Sequence, residues 1–137
     1  MQFLHRRLAA GGLAVLAAIA LSGCAAAQSG AGTGVLAPIV RTADSLQGAT
    51  VRLPMNTVLV VGTGSLAVDS YTATIADPAV VAFTQGHDDG SARFNPGFEP
   101  LELGSTAVTL RNAQGGIQPI EFTISVVAAP GDASKAD

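Results

Sequence analysis

The chain has no tryptophan, one tyrosine and a single cysteine in 137 residues. One cysteine excludes an intrachain disulfide framework and any zinc site built from several thiolates. Charge is scarce too: charged residues make up 12% of the chain, seven Lys and Arg against ten Asp and Glu, for a net −3. A grip on nucleic acid needs many cationic contacts per site, so no nucleic-acid partner is expected. With hydrophobic residues at 48%, much apolar surface must be hidden, and the length suits one folded domain.

What is present begins with an address. Arg6 and Arg7 precede an uncharged, Ala- and Leu-rich run from Leu8 to Leu21, followed by the small residues Ser22 and Gly23. This is the layout of a secretory signal. Fourteen apolar residues fall short of the roughly 20 needed to span a bilayer, so the segment suits export and cleavage better than permanent insertion.

Leu21-Ser22-Gly23-Cys24 resembles the lipobox of bacterial lipoproteins across all four of its positions. The resemblance implies a diacylglyceryl group on the Cys24 sulfur, removal of residues 1–23 and acylation of the new amino terminus. Two or more acyl chains anchor stably where one binds only marginally. The expected location is the outer face of the cytoplasmic membrane, with the acyl chains on Cys24 as the membrane contact. Cleavage removes Arg6 and Arg7 and no acid, leaving five cations against ten acids, net −5. Attraction to anionic headgroups is not expected from such a surface.

Residues 24–46 read as the lipidated terminus and a tether, because Ala25 to Gly34 offer nothing large enough to bury. Ten such residues have an r.m.s. reach of about 17 Å. Val35 to Val40 fits either the tether or an added edge strand. At the other end Ala128 to Asp137 carries no bulky apolar side chain and reads as a frayed tail.

Between these lie residues 47–127, where apolar residues recur with period two. Ile120, Phe122, Ile124 and Val126 alternate with Glu121, Thr123 and Ser125, the pattern of a half-buried strand. Val108 to Arg111 and Tyr71 to Ile75 alternate likewise, while Val51 to Leu53, Thr57 to Val61, Val80 to Phe83 and Ser91 to Phe94 are shorter candidates. Turn residues recur between them, notably Gly62 and Gly64, Asp77-Pro78, Gly86 to Gly90, Asn95-Pro96-Gly97 and Gly115-Gly116. The expected fold is all-β, a small sandwich of about seven strands.

Two segments, Asp77-Pro78-Ala79-Val80-Val81 and Pro100 to Leu110 with its Leu103-Gly104-Ser105-Thr106 turn, resemble bacterial immunoglobulin-like domains. That family implies a spacer or adhesion module without catalytic residues. Size, export and strand order also resemble the chagasin-type inhibitors of papain-like cysteine proteases, which present three loops to the protease cleft. The matching stretches here are Gly62 to Leu66, Gly86 to Gly90 and Arg111 to Gly115. The first lacks the family's Asn-Pro-Thr-Thr-Gly motif and the third its tryptophan.

The chemical motifs are weak. Gly62-Thr63-Gly64-Ser65-Leu66-Ala67 spells a dinucleotide-binding turn, but a strand pattern follows where that turn must open a helix, so no cofactor is expected. His87, Asp88 and Asp89 stand in a Gly-flanked loop and read as a solvated hairpin tip rather than a metal site. With no Gly-x-Ser-x-Gly elbow, no catalytic residue is assigned and an enzyme is not expected.

The most distinctive loop is Phe94-Asn95-Pro96-Gly97-Phe98-Glu99-Pro100. Its prolines reduce the ordering entropy lost on docking, which makes Phe94, Pro96 and Phe98 the candidate partner-binding residues. Phe94 and Phe98 serve equally as a cover for the open end of the sandwich. The expected function is a membrane-anchored, non-catalytic binding or accessory module that meets an envelope protein or polymer. The alternatives are a structural envelope spacer and a divergent chagasin-like protease inhibitor.

Overall fold

The computed structural model describes residues 36–131. The signal segment 1–23, Cys24, the tether through residue 35 and the tail from residue 132 lie outside the described residues. Within them the chain forms ten strands: β1 (Ile39–Thr42), β2 (Thr50–Pro54), β3 (Leu59–Gly62), β4 (Tyr71–Ile75), β5 (Val81–Thr84), β6 (His87–Asp88), β7 (Arg93–Phe94), β8 (Gly97–Pro100), β9 (Gly104–Asn112) and β10 (Ile120–Val127). A single 3₁₀ turn, Asp44–Leu46, is the one helical element among the described residues.

Two four-stranded sheets, ordered β1-β3-β8-β5 and β2-β10-β9-β4, enclose the core, and β6 and β7 form a separate two-stranded hairpin. Pairing is antiparallel except for β1 with β3 and β2 with β10. The result is an all-β domain of sandwich-like architecture.

The period-two pattern fixes which side chains face inward. Ile120, Phe122, Ile124 and Val126 of β10 are buried, as are Val108 and Leu110 opposite them on β9. Leu59 and Val61 of β3, Val81 of β5 and Phe98 of β8 supply the other wall of the same core. Phe98 links the two sheets. Its ring lies 5.1 Å from that of Phe83 and meets the Phe122 ring edge-on at 5.8 Å, so one side chain packs against both walls.

The strand count exceeds the seven expected from sequence, for reasons that are physical. β8 is hidden by its composition: a glycine, a proline and a preceding proline read as a stiff loop, yet the strand lies between β3 and β5 in the middle of its sheet. Pro100 sits at its end, where a missing N–H costs little. Gly97 is needed because an added Cβ would lie 2.7 Å from the Leu59 carbonyl oxygen of β3. β1 settles the open assignment of Val35 to Val40: Ile39–Thr42 pairs with Leu59–Gly62, and the turn after it drives Leu46 to full burial in the core. The packed domain therefore begins before residue 47, and residues 39–46 are not tether.

Strand direction divides the molecule into two ends. At one end lie the connections 43–49, 63–70, 85–96 and 113–119; at the other, the shorter connections 55–58, 76–80 and 101–103. The second end, here termed the base, also carries both the start of β1 and the finish of β10.

Candidate functional site

The longer connections form what is here termed the loop end. Thr63–Ser70 is its keystone. Thr63, Val68 and Ser70 are buried, whereas Gly64, Ser65, Ala67 and Asp69 are exposed. The segment is held by bonds of its own: the Leu66 N–H and the Thr63 hydroxyl donate to the Thr63 and Leu66 carbonyls at 3.1 and 3.0 Å, and the Ser70 hydroxyl donates to the Ala67 carbonyl at 2.6 Å. β4 follows directly, and no helix opens after the Gly62-Thr63-Gly64 turn.

This keystone is bonded to a neighbour on either side. Toward the hairpin, the Gln85 side-chain amide donates to the Asp69 carbonyl at 2.8 Å. Gly86 packs so close that a Cβ there would collide with the Val68 carbonyl oxygen and would lie 2.8 Å from the Phe94 carbonyl oxygen. Toward the last loop, the Ala113 N–H donates to the Ser70 carbonyl at 2.6 Å, and the Asn112 amide donates to the Ser70 hydroxyl at 3.1 Å. Ser70, 4% exposed, thus uses its backbone carbonyl and its hydroxyl together to fasten the third loop. The three stretches singled out in the sequence near Gly62, Gly86 and Arg111 form one bonded surface rather than three independent loops.

The hairpin rises from this surface. His87 stacks on Phe94 with ring centroids 4.5 Å apart and planes 15° apart. Below the tip, Arg93 Nε contacts Asp88 Oδ2 at 3.0 Å, an exposed ion pair of the kind that contributes little to stability. Asp89 Oδ1 accepts from the Ser91 hydroxyl, the Ser91 N–H and the Ala92 N–H at 2.7 to 2.9 Å. Those donors favour the ionised form, with the Ser91 hydroxyl first, and lower the Asp89 carboxyl from 3.8 to about 2. Asp88 is lowered as well, by the Gly90 N–H first and then by Arg93. His87, Asp88 and Asp89 therefore each face a different partner, and among the described residues no group of three or more His, Cys, Asp and Glu could hold a metal ion.

An open cleft of ≈ 590 Å³ runs between the keystone and the third loop, lined by Thr63, Ser65, Leu66, Tyr71, Ile117 and Gln118 among others. Ile117 is one of two large apolar side chains exposed at this end, at 39%; Phe94, at 46%, is the other.

The candidate trio from the proline-rich loop is divided by the structure. Phe94 is on the surface of the hairpin. Pro96 and Phe98 are fully buried, and Phe98 fills the space between the sheets, where no partner can reach it. As an exposed anchor Phe98 is excluded by its packing; its aromatic area is spent on a core that has no tryptophan and few other rings. Cys24, the proposed lipid-attachment residue, lies outside the described residues. Ser70 and Gly86 are positioning residues that the sequence does not mark as such. The local signal is a glycine beside a strand end, which marks a close approach without naming what approaches.

No family model matches this chain, and no curated protein matches it. Among solved structures it is similar to the cysteine protease inhibitor EhICP2 from Entamoeba histolytica, with a TM-score of 0.44 and 16% identity, covering 66% of this chain and 96% of that one. That degree of similarity assigns neither partner nor contact residues.

Proposed function

We propose that this domain is a non-catalytic protein-binding module that acts through its loop end, held outside the cytoplasm by acyl chains on Cys24, with the cleft of a papain-like cysteine protease as its partner. The observation that carries the reading is the fastening of Thr63–Ser70 to the hairpin on one side and to the third loop on the other. A surface whose backbone is already bonded loses little conformational entropy on docking. Phe94 and Ile117 give it two apolar contacts with polar and small residues around them.

The chagasin-type resemblance read from the three loops supports the choice of a protease cleft. Without tryptophan in the third loop and without the family's motif in the first, contact passes to Phe94 on the hairpin and Ile117 beside the cleft. The immunoglobulin-like resemblance of the Asp77 and Gly104 segments belongs to the same proposal, as a scaffold that carries variable loops. The lipobox residues Leu21 to Cys24 support the location.

The test is titration of a papain-like protease with the detergent-solubilised full chain and with a Phe94→Ala/Ile117→Ala variant. Inhibition by the wild type, weakened at least about tenfold in the variant, supports the reading, since an interface anchor is worth more than about 1 kcal/mol. No inhibition by the wild type, or equal inhibition by both, rejects the protease cleft as the partner.

A further inference from the structure

We infer that the base of the domain is a membrane-resting face, which lies against the lipid headgroups and holds the loop end outward. The inference rests on the acyl anchor at Cys24 proposed above and adds to it a defined orientation.

Four of the seven large apolar side chains exposed among the described residues are at this one end: Leu36 at 39%, Met55 at 37%, Leu101 at 47% and Leu103 at 61%. Neighbouring contacts bring them together. The Leu36 N–H donates to the Asn56 carbonyl at 3.0 Å, next to Met55. Met55 and Pro100 line one shallow groove, and Leu101 follows Pro100 directly. Leu101 and Leu103 are fixed outward by the turn into β9, in which the Leu101 N–H donates to the Val80 carbonyl at 2.8 Å and Gly104 pairs with Val126.

The chain itself indicates what covers this face. The polypeptide that leads back to Cys24 leaves the domain at Leu36, pinned there by the Thr57 hydroxyl donating to the Ala37 carbonyl at 2.9 Å. A tether with a reach of about 17 Å, leaving from the base, keeps the base and not the loop end within range of the bilayer. The contact is apolar rather than electrostatic, because the exposed ionisable groups of the base are Asp77, Glu99 and Glu102. Leucines enter the interfacial region while carboxylates remain at its watery side. The eight residues of β10 rise about 27 Å from base to loop end, several Debye lengths from the headgroups. The loop end is thereby presented to a partner free of the membrane.

The absence of tryptophan makes the test direct. Mature, acylated Leu103→Trp and Phe94→Trp variants, beginning at Cys24, are reconstituted in phosphatidylcholine vesicles containing a spin-labelled phosphatidylcholine quencher, with flotation measured on the same samples. Flotation of both, with Leu103→Trp emission blue-shifted and quenched several-fold more than Phe94→Trp, supports the inference. A third variant, Leu103→Trp with Leu101→Ser and Met55→Ser, must lose that difference; if it does not, the introduced indole and not the native face made the contact, and the inference falls. Flotation with equal quenching at positions 103 and 94 overturns the resting face while leaving the anchor intact. Failure to float overturns the anchor and the inference with it.

Discussion

The two ends of the sandwich solve opposite problems with the same strands. At the loop end, connections of seven to twelve residues turn their polar groups inward onto one another: Ser70 to Asn112 and Ala113, Gln85 to Asp69, Asp89 to Ser91 and Ala92. At the base, connections of three to five residues have little backbone to satisfy and instead leave Leu101, Leu103 and Met55 in the open. The lesson is that long loops here are not loose ones. They are ordered by specific polar bonds that run from one loop to the next, so removing a single bond should loosen the neighbouring loops together, whereas the base should tolerate change until its apolar surface is altered.

The largest expected effect lies midway between the two ends. Phe98→Ala removes the ring that spans Phe83 and Phe122 and should cost about 3 to 5 kcal/mol in a denaturant titration. A loss below about 1 kcal/mol would mean that Phe98 is not a core residue. Next comes Ser70→Ala, which deletes both the hydroxyl bond to the Ala67 carbonyl and the acceptor for Asn112 and should cost about 1 to 3 kcal/mol. If that cost equals the cost of removing the exposed Ser65 hydroxyl, the loop end is not fastened as described.

The smallest effect is a titration at the hairpin tip. Because the folded pKa of Asp89 is depressed, its stabilising bonds are complete above the ordinary value of 3.8 and are lost as pH falls through about 2. The Ser91 amide resonance should therefore titrate near 2; a midpoint at 3.8 would show that the tip bonds are absent in solution.

The sequence revealed the domain unevenly. β10, β9 and β4 are legible because the one sheet that they share has one buried face, and period-two alternation reports burial on one face directly. β8 and β1 are hidden for different reasons. Gly97, Pro100 and the preceding Pro96 give β8 the composition of a turn, although Phe98 between them is the most deeply buried aromatic among the described residues. β1 buries little of itself, with Val40 exposed, and earns its place through pairing with β3 and through Leu46 beyond it. The three loops are visible one by one as glycine clusters. Their meeting depends on the crossover from β3 in one sheet to β4 in the other, a long-range fact that no local pattern carries.

The central claim is that the loop end is one coupled surface, separate from the base. Amide hydrogen exchange in Gly86→Ala tests it most directly, since the new Cβ displaces the Val68 carbonyl on the hairpin side of the keystone. The account predicts faster exchange at the Ala113 amide, bonded to Ser70 on the far side, with the Met55 amide, bonded to Val127 at the base, unchanged. Unchanged exchange at Ala113, or equal acceleration at Ala113 and Met55, would contradict it.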